Sequence, residues 1–218
     1  MDAEREKQVA AGAAAALVQD GMTDGLGTGS TVSFLLPALA SRGLDLRCVS
    51  TSPRTETAAR ELGLRVESFE GGSGVAHLDI AIDGADQVDP AGWLVKGGGA
   101  AHTREKRVAA AADRFVVIVS SDKLVERLTP PIPLELLAFG LAATLQDLEP
   151  VRLREVPRSP DGGVIADYLG EAGAPDALAE RFAGTPGVIE HGLFPPAMVW
   201  CVLVGKGDHV ERIDVSAI

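Results

Sequence analysis

Leu78-Asp79-Ile80-Ala81-Ile82 runs straight into Asp83-Gly84-Ala85-Asp86, and ten residues later the chain reads Lys96-Gly97-Gly98-Gly99-Ala100-Ala101-His102-Thr103-Arg104-Glu105-Lys106. The first five residues predict a short strand, and Gly84 permits a turn where it ends. Beyond it, acids, a lysine and a triglycine interrupt an otherwise apolar stretch. That is a poor way to build a core and a suitable way to build a proton-transfer site.

Working outward, the same alternation recurs. Residues 4 to 18 are Ala-rich, with Val9, Ala13 and Leu17 on one helical stripe, and Gly21 ends that element. A strand near 22 to 26 runs into Gly27-Thr28-Gly29-Ser30-Thr31, followed by a helix over Val32 to Ala40. Leu46 to Val49 is strand-like, Pro53 sits in the first turn of the next helix, and Gly63 closes it. Further strands are predicted at Leu64 to Phe69 and Phe115 to Val119, with a helix at about 104 to 112. Short apolar strands alternating with helices indicate an α/β domain whose parallel sheet is covered on both faces. Chemistry in such folds gathers at the carboxyl ends of the strands, where Gly27, Asp83 and Ser120 all fall.

The pattern changes after Leu128. Thr129-Pro130-Pro131-Ile132-Pro133 punctuates the chain, and Leu134 to Leu145 has helical spacing. Strands at 151 to 156 and 164 to 168 flank the turn Asp161-Gly162-Gly163, and a helix over about 176 to 183 precedes a strand-like piece at 187 to 190. A hairpin over 198 to 204 and 210 to 215 ends the chain. The expected division is a large domain of residues 1–128 plus about 205–218, and a small α+β domain of about 129–204. Periodicity leaves the allegiance of the final hairpin open.

The chain has 218 residues, 46% hydrophobic and only 4% aromatic, so aliphatic side chains must fill its core. With 20 basic against 31 acidic side chains its net charge is −11, which disfavours nonspecific nucleic-acid binding. A local nest of N–H groups with one lysine can still hold an anionic substrate. Cys48 and Cys201 lie in apolar, strand-like runs and read as buried free thiols rather than a disulfide or metal pair. No stretch approaches the roughly 18 apolar residues of a spanning helix. The charged start Met1-Asp2-Ala3-Glu4-Arg5-Glu6-Lys7 leads into a helix rather than a signal-peptide core, so a soluble cytoplasmic protein is expected, without membrane or nucleic-acid partners.

Each motif has two readings. Gly27-Thr28-Gly29-Ser30-Thr31 suits a phosphate held by N–H groups and hydroxyls at a helix start, or a plain strand–turn–helix junction capped by Ser or Thr. It is neither a Walker loop nor a dinucleotide fingerprint. Ser50-Thr51-Ser52 with Thr55 forms a second hydroxyl-rich turn, and in Ser120-Ser121-Asp122-Lys123 the lysine offers a point charge for phosphate or decorates the surface. Asp83 and Asp86 either cap a turn or form a preorganised cluster with Lys96. Glu105 is either a carboxylate favoured by the helix dipole or a general base tuned by burial. His77, His191 and His209 have no ligand spacing, so no metal site is expected.

Taken in order, Gly25-Leu26-Gly27-Thr28-Gly29-Ser30-Thr31, Thr51-Ser52, Asp83-Gly84-Ala85-Asp86, Lys96-Gly97-Gly98-Gly99-Ala100-Ala101 and Thr103-Arg104-Glu105-Lys106 closely resemble the ribose-5-phosphate isomerase type A family. The later blocks Pro186-Gly187-Val188 and Gly192-Leu193-Phe194 resemble it too, so the likeness runs from Lys7 to the C-terminus. The resemblance implies a Rossmann-like large domain with a small α+β domain, assembled as a homodimer or homotetramer. It implies metal-independent isomerisation of D-ribose 5-phosphate and D-ribulose 5-phosphate without a cofactor, with Glu105 as base and Asp83, Asp86 and Lys96 around the reacting end. Thr28, Gly29, Ser30, Thr31, Lys123, Lys7 and the glycines Gly97, Gly98 and Gly99 would bind substrate, with Lys123 and Lys7 toward the phosphate. Another phosphosugar isomerase and a non-catalytic sugar-phosphate sensor remain as alternatives. Three positions depart from the family pattern. Gln87 stands where Glu is usual, Ser120-Ser121-Asp122-Lys123 replaces Asp-x-Ser-Lys, and Asp161-Gly162-Gly163 shortens an Asp-Asn-Gly-Asn turn.

Overall fold

The computed structural model describes residues 3–72 and 74–215; Met1 and Asp2 of the charged start, Ser73 and residues 216–218 lie outside the described residues. The first elements are α1 (Ala3–Ala15), β1 (Thr23–Leu26), α2 (Val32–Ala40), β2 (Arg47–Ser50), α3 (Pro53–Glu61) and β3 (Ile80–Asp83). Next come β4 (Gln87–Val88), β5 (Leu94–Val95), α4 (His102–Ala109), β6 (Phe115–Ser120), β7 (Ile132–Leu136), α5 (Leu141–Asp147) and β8 (Val151–Leu153). The chain closes with β9 (Val164–Tyr168), α6 (Pro175–Gly184), β10 (Val188–His191), β11 (Leu193–Phe194), β12 (Cys201–Lys206) and β13 (His209–Asp214). Two compact units result. Met1–Ala85, Arg104–Leu124 and Pro196–Ile218 form the first, and Asp86–Thr103 with Val125–Pro195 the second.

The first unit is an α/β fold on a six-stranded sheet ordered β13-β12-β6-β3-β1-β2, parallel except where β13 pairs β12. Ala10, Ala11 and Ala14 of α1 and Val32, Leu35 and Leu39 of α2 join Leu26, Ile80, Ile82 and Ile118 in one apolar cluster. Each fully buried Leu or Ile contributes about 1.5–3 kcal/mol, which compensates for the scarcity of aromatic side chains. The opposite face receives α4 so closely that a Cβ on Gly25 would lie 2.4 Å from Val108. Glycine on a strand therefore serves close packing here. The chain leaves β1 for β2 on one side and crosses to β3 on the other, so the strand order reverses between β1 and β3. Open α/β sheets bind ligands at the carboxyl ends of such strands. Those ends are Gly27-Thr28 and Asp83.

The final hairpin belongs to this sheet, because β12 runs parallel to β6 from Cys201↔Val116 to Gly205↔Ser120. The boundary expected near residue 204 thus falls within β12. The strand expected over Leu64 to Phe69 is reduced to a single bridge between Val66 and Cys48.

The second unit is α+β. It contains a four-stranded antiparallel sheet ordered β10-β7-β9-β8 and a three-stranded sheet ordered β11-β5-β4. Ile132, Leu134, Leu136, Ala166, Tyr168 and Phe182 share its core, with Tyr168 edge-on to Phe182 at 5.1 Å between ring centres. The helix expected over Leu134 to Leu145 does not form as one element. Leu134, Leu137, Leu141 and Leu145 have helical spacing, but Ile132, Leu134 and Leu136 alternate into the core as β7. Gly140, at φ +72°, then starts α5. No helix among the described residues is long and apolar enough to cross a membrane.

Candidate active site

In the first unit, the end of β3 and the turn after β1 are built around one carboxylate. Asp83 is buried, and its Oδ1 accepts hydrogen bonds from the N–H of Thr28 at 3.0 Å and of Gly84 at 2.7 Å. Gly27 makes room for it, since a Cβ there would fall 2.0 Å from the Asp83 carboxyl carbon. The Thr28 hydroxyl lies 2.8 Å from those of Thr51 and Ser52 and 3.3 Å from that of Thr55, while Thr55 donates to the Gly27 carbonyl. The two hydroxyl-rich turns therefore form one network. Thr31 occupies the N-cap position of α2 but makes no side-chain capping bond, so a cap does not account for its hydroxyl. Gly29 and Ser30 are exposed, and Thr31 is half-buried beside Gly84. Glu105 lies in the first turn of α4 and is only 3% exposed, which is not the position of a surface carboxylate favoured by the helix dipole.

At the end of β6 the Ser120 hydroxyl donates to Asp122, and Lys123 pairs with Asp122 at 3.1 Å. The Ser120 hydroxyl first, and then Lys123, hold the Asp122 carboxyl below its ordinary range. Where the usual pattern has Asp followed by Ser, this chain has Ser120 followed by Asp122, and these two bond to each other. Lys7 is half-buried on α1, beside the buried Glu6.

In the second unit, Lys96 follows β5 and is 2% exposed, with its Nζ 5.5 Å from the centre of the Phe194 ring. Its N–H donates to the Gly192 carbonyl, and a Cβ on Gly192 would lie 2.2 Å from the Lys96 carbonyl oxygen. Gly97 takes φ +105° and has His102 and Pro133 where a side chain would go. Gly98 donates to Asp86 at 2.7 Å; Asp86, Gly98 and Gly99 are exposed. Gly97 thus serves a left-handed turn and Gly98 a close approach to a carboxylate, which explains the entropic cost of these two glycines.

Several polar partners of these residues have no local signature. Arg154 grips Asp167 through two nitrogens and donates Nη1 to the carbonyls of Gly97 at 2.9 Å and Gly98 at 3.1 Å. Buried Glu135 accepts from the hydroxyls of Thr103 and Ser159. Gln87 brackets the backbone of Thr129, donating to its carbonyl at 2.9 Å and accepting from its N–H at 2.8 Å. Its side chain is thus committed to Thr129. Asp161-Gly162-Gly163 forms the turn into β9, with Ser159 accepting from the N–H groups of Asp161 and Gly163. Among the described residues no group of three or more His, Cys, Asp or Glu is placed to hold a metal ion.

The family model for ribose 5-phosphate isomerase A (phosphoriboisomerase A) matches residues 47–209. A ribose-5-phosphate isomerase A from Natronomonas pharaonis is 42% identical over 95% of this chain and 96% of its own length. One from Caulobacter vibrioides is 43% identical over 98% and 99%. The crystal structure of ribose 5 phosphate isomerase A from Neisseria gonorrhoeae superposes with a TM-score of 0.90 at 30% identity, covering 96% of each chain. A D-ribose-5-phosphate isomerase in complex with phospho-erythronic acid superposes with a TM-score of 0.91 at 32% identity, covering 98% of this chain and 100% of that one. An initiation factor eIF-2B from Pyrococcus horikoshii shares the fold alone, at a TM-score of 0.54 and 16% identity. With the strand-end carboxylate, the buried lysine and the glycine turn in place, these likenesses show that the chain belongs to the ribose 5-phosphate isomerase A family.

Proposed function

We propose that this chain interconverts D-ribose 5-phosphate and D-ribulose 5-phosphate through a cis-enediolate, with Glu105 as the general base. The observation that carries the proposal is the burial of Glu105 in the first turn of α4. A carboxylate with no packing value is kept out of water at the position that matches the family's base. Glu105 removes the proton from C2 of the open-chain aldose, and the bonding electrons move toward O1. The same carboxylic acid then returns the proton to C1, giving the ketose. The buried ammonium of Lys96 stabilises the developing oxyanion, which such a charge does far better away from water. Asp83 or Asp86 assists ring opening and moves the hydroxyl proton between O2 and O1. All electrons stay within the substrate, so the reaction needs no redox cofactor, and Lys96 supplies the charge stabilisation that a metal would otherwise provide.

Thr28, Ser30 and Thr31 after β1 and Lys123 after β6 bind the rest of the sugar phosphate, with Lys123 and Lys7 at the phosphate and Gly97, Gly98 and Gly99 lining the reacting end. Remote phosphate binding orients the substrate for proton transfer. A relative holds phospho-erythronic acid, whose name describes a phosphorylated four-carbon acid. Its carboxylate places two oxygens in a plane, as an enediolate does, and this supports the same chemistry here. The protein works in the cytoplasm as a homodimer or homotetramer. The apolar surface of the second unit supports self-association, with Phe139 94% exposed and Leu137 48%.

A coupled assay over a panel of aldose and ketose phosphates tests the assignment. Turnover of ribose 5-phosphate at a kcat/KM well above that of other pentose or hexose phosphates is expected. A preference for another phosphosugar would move the substrate assignment, and binding without turnover would make the protein a sensor.

A further inference from the structure

We propose that Glu6 is a positioning residue for the phosphate end of the site, fixing the turn that carries Lys123 relative to the helix that carries Lys7. The proposal rests on the reading of Lys123 as a phosphate contact. Glu6 is 2% exposed on α1 and touches two segments far away in sequence. Its Oε2 accepts the Ser121 N–H at 2.9 Å and the Ser121 hydroxyl at 2.8 Å. Its Oε1 accepts the Gly207 N–H at 3.1 Å. Three donors therefore converge on one carboxylate, from the turn after β6 and the turn after β12.

The helix backbone is brought equally close. A Cβ on Gly205 would lie 2.0 Å from the Glu6 carbonyl oxygen, so only glycine at the end of β12 lets α1 approach. Lys7 is the next residue on the helix, and Lys123 ends the short helical turn Ser121–Lys123 that begins at the anchored serine. The Ser121 hydroxyl and N–H, with the Gly207 N–H, hold the Glu6 carboxyl below its ordinary range against the opposing charge of Asp122. Glu6 is therefore an anion at neutral pH, and its bonds are the charge-assisted kind. A core position would be filled more cheaply by an apolar side chain. What the carboxylate provides instead is a fixed geometry between two lysines. The turn after β6 and the strands β1 and β3 end on the same edge of the sheet, since β1, β3 and β6 are parallel. Glu6 touches neither reacting atoms nor phosphate in this role; it acts through Ser121 and the helix.

The test compares Glu6→Ala, Glu6→Gln and Ser121→Ala with Lys123→Ala, using ribose 5-phosphate, unphosphorylated D-ribose, and inorganic phosphate as a competitive inhibitor. Glu6→Ala should raise the KM for ribose 5-phosphate and the Ki for phosphate by the same factor, about tenfold, with kcat within about twofold. The kcat/KM for D-ribose should stay within about twofold, since only phosphate binding is touched. Ser121→Ala removes one of the three bonds and should give about two- to threefold in the same direction. Equal losses for both sugars, or an unmoved KM and Ki, would overturn the proposal. If Glu6→Ala does not fold, Glu6→Gln and Ser121→Ala decide by the same ratio. Failure of the underlying reading shows separately: Lys123→Ala would then leave the KM for ribose 5-phosphate unchanged. A Lys123 effect without a Glu6 or Ser121 effect removes Glu6 alone.

Discussion

Asp24 and Asp83 lie on neighbouring strands of one parallel sheet, and both are buried, at 0% and 3% exposure. Asp83 stands at the carboxyl end of β3, where the N–H groups of Thr28 and Gly84 converge on it. Asp24 stands within β1, between Cys48 on β2 and Ile80 on β3, and its carboxyl oxygens have no hydrogen-bond partner among the described residues. Burial alone pushes Asp24 from 3.8 up to about 7. Burial first, and the charge of Asp24 second, push the facing Cys48 thiol up to about 12, so it stays a neutral thiol. A strand end supplies turn N–H groups free of the ladder, whereas a strand interior has already used its own. The same residue type is therefore a hydrogen-bonded anchor at the end of one strand and a stability cost inside its neighbour.

The largest effect expected from breaking this comparison is at the strand end. Asp83→Asn should lower kcat/KM by about 10²-fold, the scale of losing one preorganised group at the reacting centre. The melting temperature should shift little, because the amide oxygen can still accept from Thr28 and Gly84. A large fall in stability with turnover intact would make Asp83 a structural cap.

Asp24→Val should do the reverse, leaving turnover unchanged and raising stability. Because the folded-state pKa is raised, the unfolded chain loses its proton first as the pH rises above 3.8, and the folded state holds it until about 7. Stability of the unsubstituted protein should therefore fall across that window, by roughly 4 kcal/mol at its upper end. Urea unfolding at pH 5 and pH 8 reads the effect directly. The advantage of the valine variant should be larger at pH 8, and parallel pH curves for the two proteins would contradict the assignment.

Gln87 sharpens the comparison with a smaller effect. Its amide both donates to and accepts from the Thr129 backbone, and a glutamate at neutral pH has no proton to donate to that carbonyl. Gln87→Glu should cost about 1–3 kcal/mol of stability and leave the acidic limb of the kcat/KM profile where it is. An upward movement of that limb would tie residue 87 to the titration of the site.

The strand–helix alternation, the strand ends at Gly27, Asp83 and Ser120, and the order of motifs were all legible, because each depends on local periodicity or on close glycine spacing. Other features depend on partners remote in sequence. Glu6 bonds a residue 115 positions away, and Arg154 bonds carbonyls 56 and 57 positions back, with nothing in either neighbourhood to announce it. Leu134 to Leu145 misleads for a different reason. Its leucines satisfy a helical stripe, while the choice of strand is made by pairing with β9 and β10. Asp24 passes unnoticed in a short run because one acid does not disturb a strand pattern, and only burial reveals its cost.

The most direct test of Glu105 as the base follows solvent deuterium into C1 of ribulose 5-phosphate, with the unsubstituted enzyme and folded Glu105→Gln assayed side by side. A carboxylate that carries the proton between C2 and C1 exchanges some of it with water, so the unsubstituted enzyme should deuterate C1 during turnover. The glutamine variant should show both exchange and isomerisation reduced by at least about 10²-fold, with substrate binding retained. Exchange and turnover in the variant at the rate of the unsubstituted enzyme would show that another group moves the proton.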